Sequence, residues 1–108
     1  MKGIEAVLGL SPGLVGAARA DSAGNVYEVA GQIDGESLCA VAAMARSPLE
    51  KASELLGLGG IRDWSFSFAQ GALYVHHGDE MVAVQGGATK SPETVMKRLA
   101  QALGDRNT

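Results

Sequence analysis

The sequence predicts an α/β (α+β) protein, a three-layer α-β-α sandwich around an antiparallel sheet. Three observations carry this expectation. Apolar patterning along the 108 residues runs helix, two strands, long helix, three strands, helix. Strands within each group are joined by turns of hairpin length, which makes the pairs antiparallel. The first strand reads LVGAARA, apolar on both alternating faces apart from Arg19. That is the pattern of a central strand covered on both sides, so helices must lie on both faces of the sheet.

Each element has its own warrant. Ile4, Val7 and Leu8 share one face of a short helix, which Gly9 and the Ser11-Pro12-Gly13 turn bring to an end. Leu14–Ala20 is the central strand, with Gly16 and its alanines leaving room for a closely packed helix. Residues 21–25, DSAGN, are a hairpin turn by composition. Residues 26–30 return as the second strand, and Gly31 breaks it.

The long helix spans residues 34–57. Asp34 is its N-cap, and Glu36 lies in the first turn, where the helix dipole favours negative charge. Leu38, Val41, Ala45, Leu49, Ala52 and Leu56 recur at three- and four-residue steps and predict its core face. Gly57 is the C-cap. Pro48 stands inside, where proline removes a backbone hydrogen bond. Either the helix kinks there, or a second helix begins with Ser47 as its cap. The apolar period runs through Pro48 unbroken, which favours one kinked helix.

Residues 38–45 read LCAVAAMA and are apolar all the way round. A surface helix keeps a polar face, and one apolar on every side is buried on every side. So small a chain has little mass to bury a helix twice. Cys39, Ala40, Ala42 and Ala43 leave room for a second helix to come close, which predicts a partner helix there.

Residues 61–68 follow as a strand in which Trp64, Phe66 and Phe68 alternate with Asp63, Ser65 and Ser67. This period of two predicts a half-buried strand. Four of the five aromatics lie between Trp64 and Tyr74, so the densest packing is expected at this hairpin. Residues 72–77 form the fourth strand, with Leu73 and Val75 on one face and Tyr74 on the other. Residues 81–85 form the fifth, closed by Gly86-Gly87. Ser91 caps a final helix with Pro92 at its first position. Val95, Met96, Leu99, Ala102 and Leu103 supply its apolar face, and Thr108 ends a short polar tail.

The bulk numbers bound the function. The length fits one domain, 1–108. Hydrophobic content is 46% and charged content 19%, as in ordinary globular proteins. A net charge of −3 argues against nucleic acid as the main partner, which needs a basic footprint. Cys39 is the only cysteine, which excludes an internal disulfide and fits a reducing compartment. Neither a secretory signal nor a membrane-crossing apolar run is recognisable, so no membrane partner and a cytoplasmic location are expected.

No motif announces a reaction. His76 and His77 are adjacent on a strand and point to opposite faces, so they do not readily chelate one metal. They read as exposed polar residues near a turn. Residues 86–91, GGATKS, lie between a strand and a helix. A phosphate loop needs glycine immediately before the lysine and another five residues earlier, and those positions hold Thr89 and Val84. Ser65 and Ser67 have no base in local reach. Cys39 sits among apolar residues, where a thiol is usually inert. Glu50 and Glu54 share a helix face as solvated charges. No catalytic residue, cofactor site or metal site is assigned.

The glycine-containing hairpin after an apolar strand (ADSAGNVYEVAG), the alanine-rich helix ending in LLGLGGI, and the later hairpin YVHHGDEMVAV together resemble the Roadblock family. These are the dynein-light-chain and bacterial motility-regulator domains. The resemblance covers roughly residues 4–103. The chain departs from the family at Pro48 and at residues 86–89.

The resemblance implies a five-stranded antiparallel sheet of order 2-1-5-4-3. It also implies a homodimer built from the long helix and third strand, through Leu38, Cys39, Ala42, Ala43, Arg46, Trp64, Phe66 and Phe68. It implies a Ras-like small GTPase as partner, met by Arg46, Glu50, Lys51 and Glu54, and no enzymatic activity. The expected role is an adaptor in cell polarity or motility. The competing expectation is a small-molecule sensor or enzyme on a similar sandwich, with a pocket at Tyr74 and His76.

Overall fold

The computed structural model describes residues 3–106; the polar tail ending at Thr108 lies outside them. A 3-10 helix, Ile4–Gly9, leads into β1 (Leu14–Ala20) and β2 (Val26–Gly31). Then come α1 (Gly35–Leu56), β3 (Asp63–Phe68), β4 (Gly71–His77), β5 (Met81–Gly86) and α2 (Pro92–Arg106). The element order is that expected from the sequence. All strand pairs are antiparallel, and the sheet order is β2-β1-β5-β4-β3.

Alternation along the central strands divides the interior in two. Ala17, Tyr74 and Val84 face one way and pack with Ile4, Val7, Val95, Leu99 and Leu103. Ala18, Ala20, Leu73, Val75, Met81 and Ala83 face the other way and pack with Cys39 and Ala42 of α1. On the first face the 3-10 helix covers β1 and β2, while α2 covers β3 and β4. On the second, α1 lies over β2, β1 and β5. The result is the three-layer α-β-α sandwich.

The sequence signals at the ends of α1 act as expected. The Asp34 carboxylate accepts hydrogen bonds from the Ser37 backbone N–H (3.1 Å) and hydroxyl (2.7 Å). These bonds hold its pKa below the ordinary carboxylate value. Gly57 closes the helix in the left-handed region, and its N–H reaches the Glu54 carbonyl. The helix continues through Pro48 as one element. Gly35 lets the first turn come down on β2, because a Cβ there would sit 2.4 Å from a Val29 methyl.

Two packing expectations are corrected. The predicted core face of α1 is not the one that meets the sheet. The fully buried residues are Gly35, Cys39 and Ala42, whereas Val41, Ala52 and Leu56 are exposed. Small side chains on β1 and β5 accept only a closely approaching small-residue face, so the larger side chains turn outward. The densest packing is also not at the β3–β4 hairpin. β4 and β5 are almost wholly buried, whereas β3 is half-buried at its start and open at its end. β3 is an edge strand, and it is its start, at Trp64, that packs against the core under α1.

Candidate functional site

The uncovered side of α1 and the open end of β3 stand next to each other. Val41, Met44, Ala52 and Leu55 recur at helical spacing along α1 and are exposed, Met44 and Leu55 by 75% and 79%. Phe66 and Phe68 on β3 are 42% and 60% exposed. Phe68 pairs with Gly71, so no cross-strand side chain shields it. Between the two elements runs a groove of about 430 Å³. Leu38 and Val41 of α1 line one side of it, Leu73 and Phe68 the other, and Asp34, Ser37, Gln70 and Gln85 add polar groups. A large exposed apolar surface of this kind marks an interaction site.

The edge itself contributes backbone groups. Among the described residues β3 pairs only with β4, so one side of it carries backbone N–H and C=O groups without a strand partner among them. Such an edge is a template for pairing with another chain.

The expected interface residues separate into two groups. Trp64, Phe66 and Phe68 lie on the outer strand, and Leu38 and Ala43 are half-buried beside the uncovered helix face. Cys39 and Ala42 are corrected: both are fully buried against this chain's own sheet. They have no surface to offer a second copy, because the small-residue face of α1 is the one the sheet selects. Burial pushes the Cys39 thiol above its ordinary pKa, the inert packing role read from the sequence.

The expected partner-binding residues form a polar end to the helix. Arg46 Nε donates to Glu50 Oε1 at 2.6 Å. Arg46, Glu50 and Glu54 line a shallow polar depression closed by Gly57, Gly59 and Gly60. Lys51 is exposed outside that depression.

The two histidines are not exposed turn residues. Register across the β3–β4 pair places Asp63 opposite His76 and Trp64 opposite Val75. His76 is buried, with Nδ1 2.6 Å from Asp63 Oδ1. His77 is half-buried, and its Nε2 accepts the Trp64 indole N–H at 2.9 Å. The neighbours point to opposite faces, as strand geometry requires, and each ties β4 to the edge strand. Burial, and then the positive Arg46, hold His77 below the ordinary histidine pKa. The sequence reading missed these contacts, because both partners lie 13 residues away along the chain. Tyr74 and His76, where the competing expectation put a pocket, are buried, at 1% and 5% exposure. Among the described residues, no three His, Cys, Asp or Glu side chains converge on one point. No described helix is long and apolar enough to cross a membrane.

No protein-family model matches the chain, and no curated protein matches its sequence. Solved structures do match. The Roadblock/LC7 domain from Streptomyces avermitilis aligns at a TM-score of 0.74 with 18% identity, over 97% of this chain and 98% of that one. The gliding protein mglB from Thermus thermophilus aligns at 0.76 with 16% identity, over 96% and 84%. Myxococcus xanthus MglB aligns at 0.65 with 18% identity, over 94% and 95%. With the sheet order, the helix layers and the near-complete overlap in agreement, this chain has the Roadblock/LC7 fold.

Proposed function

We propose that this protein is a homodimeric adaptor of the motility-regulator type, working by binding rather than catalysis in the cytoplasm. The observation that carries the reading is the exposed apolar side chains of Val41 and Met44 on α1 and of Phe66 and Phe68 on the free edge strand, with Val41 and Phe68 lining one groove. A two-fold axis beside β3 lets the edge pair with its own copy and brings the two long helices together. The second copy then covers Phe66 and Phe68 and fills the groove under Val41. Similarity in fold to proteins named for gliding supports the same direction.

The partner in this reading is a Ras-like small GTPase. It meets the composite surface of the two helices, where Arg46, Glu50, Lys51 and Glu54 form a charged rim around an apolar centre. That is the usual anatomy of a specific interface. Nucleotide-dependent switch loops are the natural feature for such a surface to read. A partner placed at the two-fold axis excludes a second copy, so one GTPase binds per dimer.

Light scattering at tens of micromolar protein tests the first step. Wild type should run as a dimer. Met44→Glu and Phe68→Glu should run as folded monomers, since both side chains are largely exposed and each substitution buries a charge on assembly. A monomeric wild type sinks the proposal. The second step is tested by titrating GTPase loaded with GDP or a GTP analogue. Arg46→Glu with Lys51→Glu should abolish binding while the dimer persists. Undiminished binding moves the site away from the helix end.

A further inference from the structure

Two rings of the edge strand β3 and one of its neighbour β4 form a line. His77, Trp64 and Phe66 follow one another on one face of the sheet. The Trp64 and Phe66 centroids are 5.0 Å apart at 47°, and those of Trp64 and His77 are 6.3 Å apart at 30°. Exposure rises along the line, from half-buried His77 to open Phe66. The only polar link in it is the bond from Trp64 Nε1–H to His77 Nε2.

We propose that His77 is a pH-sensitive latch on the self-association edge, holding Trp64, and through it Phe66, in the arrangement a second copy meets. The inference rests on reading that edge as the dimer surface. Its basis is the hydrogen-bond inventory of imidazole. Nε2 accepts the indole N–H only while it carries no proton, so the latched form is neutral His77 with its proton on Nδ1. Protonation makes both ring nitrogens donors. Two N–H groups then face each other at 2.9 Å, the bond is lost, and the indole must turn away. Phe66 loses the ring it leans on.

The charges around His77 set where this happens. Burial opposes protonation; Arg46 from α1 and His76 from β4 add to that opposition, while Asp63 from β3 and Glu50 from α1 favour it. The balance lies on the side of the neutral ring, so the latch opens below the ordinary histidine value of 6.5. On the other face of the sheet, His76 Nδ1 lies 2.6 Å from Asp63 Oδ1, a second link between β4 and β3. Opening the latch therefore rearranges the ring face of β3 without detaching the strand from β4.

The test uses the single tryptophan of the chain. Tryptophan emission is followed from about pH 7.5 to about pH 5, spanning the histidine range. The self-association constant is measured at both ends. Wild type should show an emission transition below about pH 6.5. Its dimer should be about tenfold weaker at the acid end, the size of one lost hydrogen bond. His77→Gln offers an amide oxygen as acceptor and does not titrate, so both readouts should become flat. Trp64→Phe removes the donor, and its self-association should also lose its pH dependence. Unchanged wild-type emission, or equal pH dependence in wild type and His77→Gln, overturns the latch. A wild type that associates with the same constant at both pH values overturns its role at the edge. A wild type that never associates overturns the edge as a dimer surface, and the emission titration still decides the latch itself.

Discussion

Replacing Gly31 with alanine tests how β2 is joined to the rest of the sheet. Gly31 has φ +88°, and a Cβ there would lie 2.3 Å from the Val15 carbonyl oxygen and 2.7 Å from the Gly16 Cα. Both obstacles are backbone atoms, so no side chain can rotate out of the way. Two costs add. A non-glycine residue held in the left-handed region costs about 1–2 kcal/mol. Pushing β1 and β2 apart to admit the methyl group costs about a further 1–2 kcal/mol, the lower part of the range for overpacking. Gly13 separates the two terms. Its φ is +85°, yet a Cβ there would meet nothing within 4 Å. Gly13→Ala should therefore show the backbone term alone. At about 4–8 °C per kcal/mol near this chain length, Gly31→Ala should lower Tm by about 10 °C or more, and Gly13→Ala by about half of that. Circular-dichroism melts at one fixed protein concentration provide the readout, since self-association makes Tm concentration-dependent. Equal losses in the two variants would refute the close approach of Gly31 to Val15. No loss in either would refute the left-handed argument as well.

Two further outcomes are expected. Leu99→Ala empties a site with 0% exposure between α2 and the sheet and should cost about 2–5 kcal/mol in urea unfolding; a loss below about 1 kcal/mol would show that α2 is not docked as described. His77 is held below its ordinary value of 6.5, mainly by burial. As pH falls through 6.5 the unfolded chain takes up a proton that the folded chain resists, so wild-type stability should decline from there down to the folded pKa. His77→Gln should lack this component, and an identical decline in both proteins would refute the assignment.

Much of the fold was legible because the signals were local. The two-faced apolar run of β1, the period of two in β3, the turn residues at 21–25, the Asp34 cap and the Gly57 stop each act within a few residues of where they stand. Hairpin-length turns then forced antiparallel pairing. The one-helix reading through Pro48 was legible for the same reason, since the apolar period did not reset there.

What the sequence could not decide was which of two apolar faces of α1 meets its own sheet. Residues 38–45 are apolar all round, so hydrophobicity alone gives no direction. Tertiary packing chose by size: Ala18, Ala20 and Ala83 leave a shallow floor that accepts Cys39 and Ala42. Val41 and Met44 were thereby left facing outward. The alternating aromatics of β3 gave the strand and its two faces but not its cover, because cover depends on where α1 crosses the sheet. The two histidines show the same division. Their opposite directions follow from adjacency on a strand, whereas their bonds to Asp63 and Trp64 depend on a register that only the folded β3–β4 pair fixes.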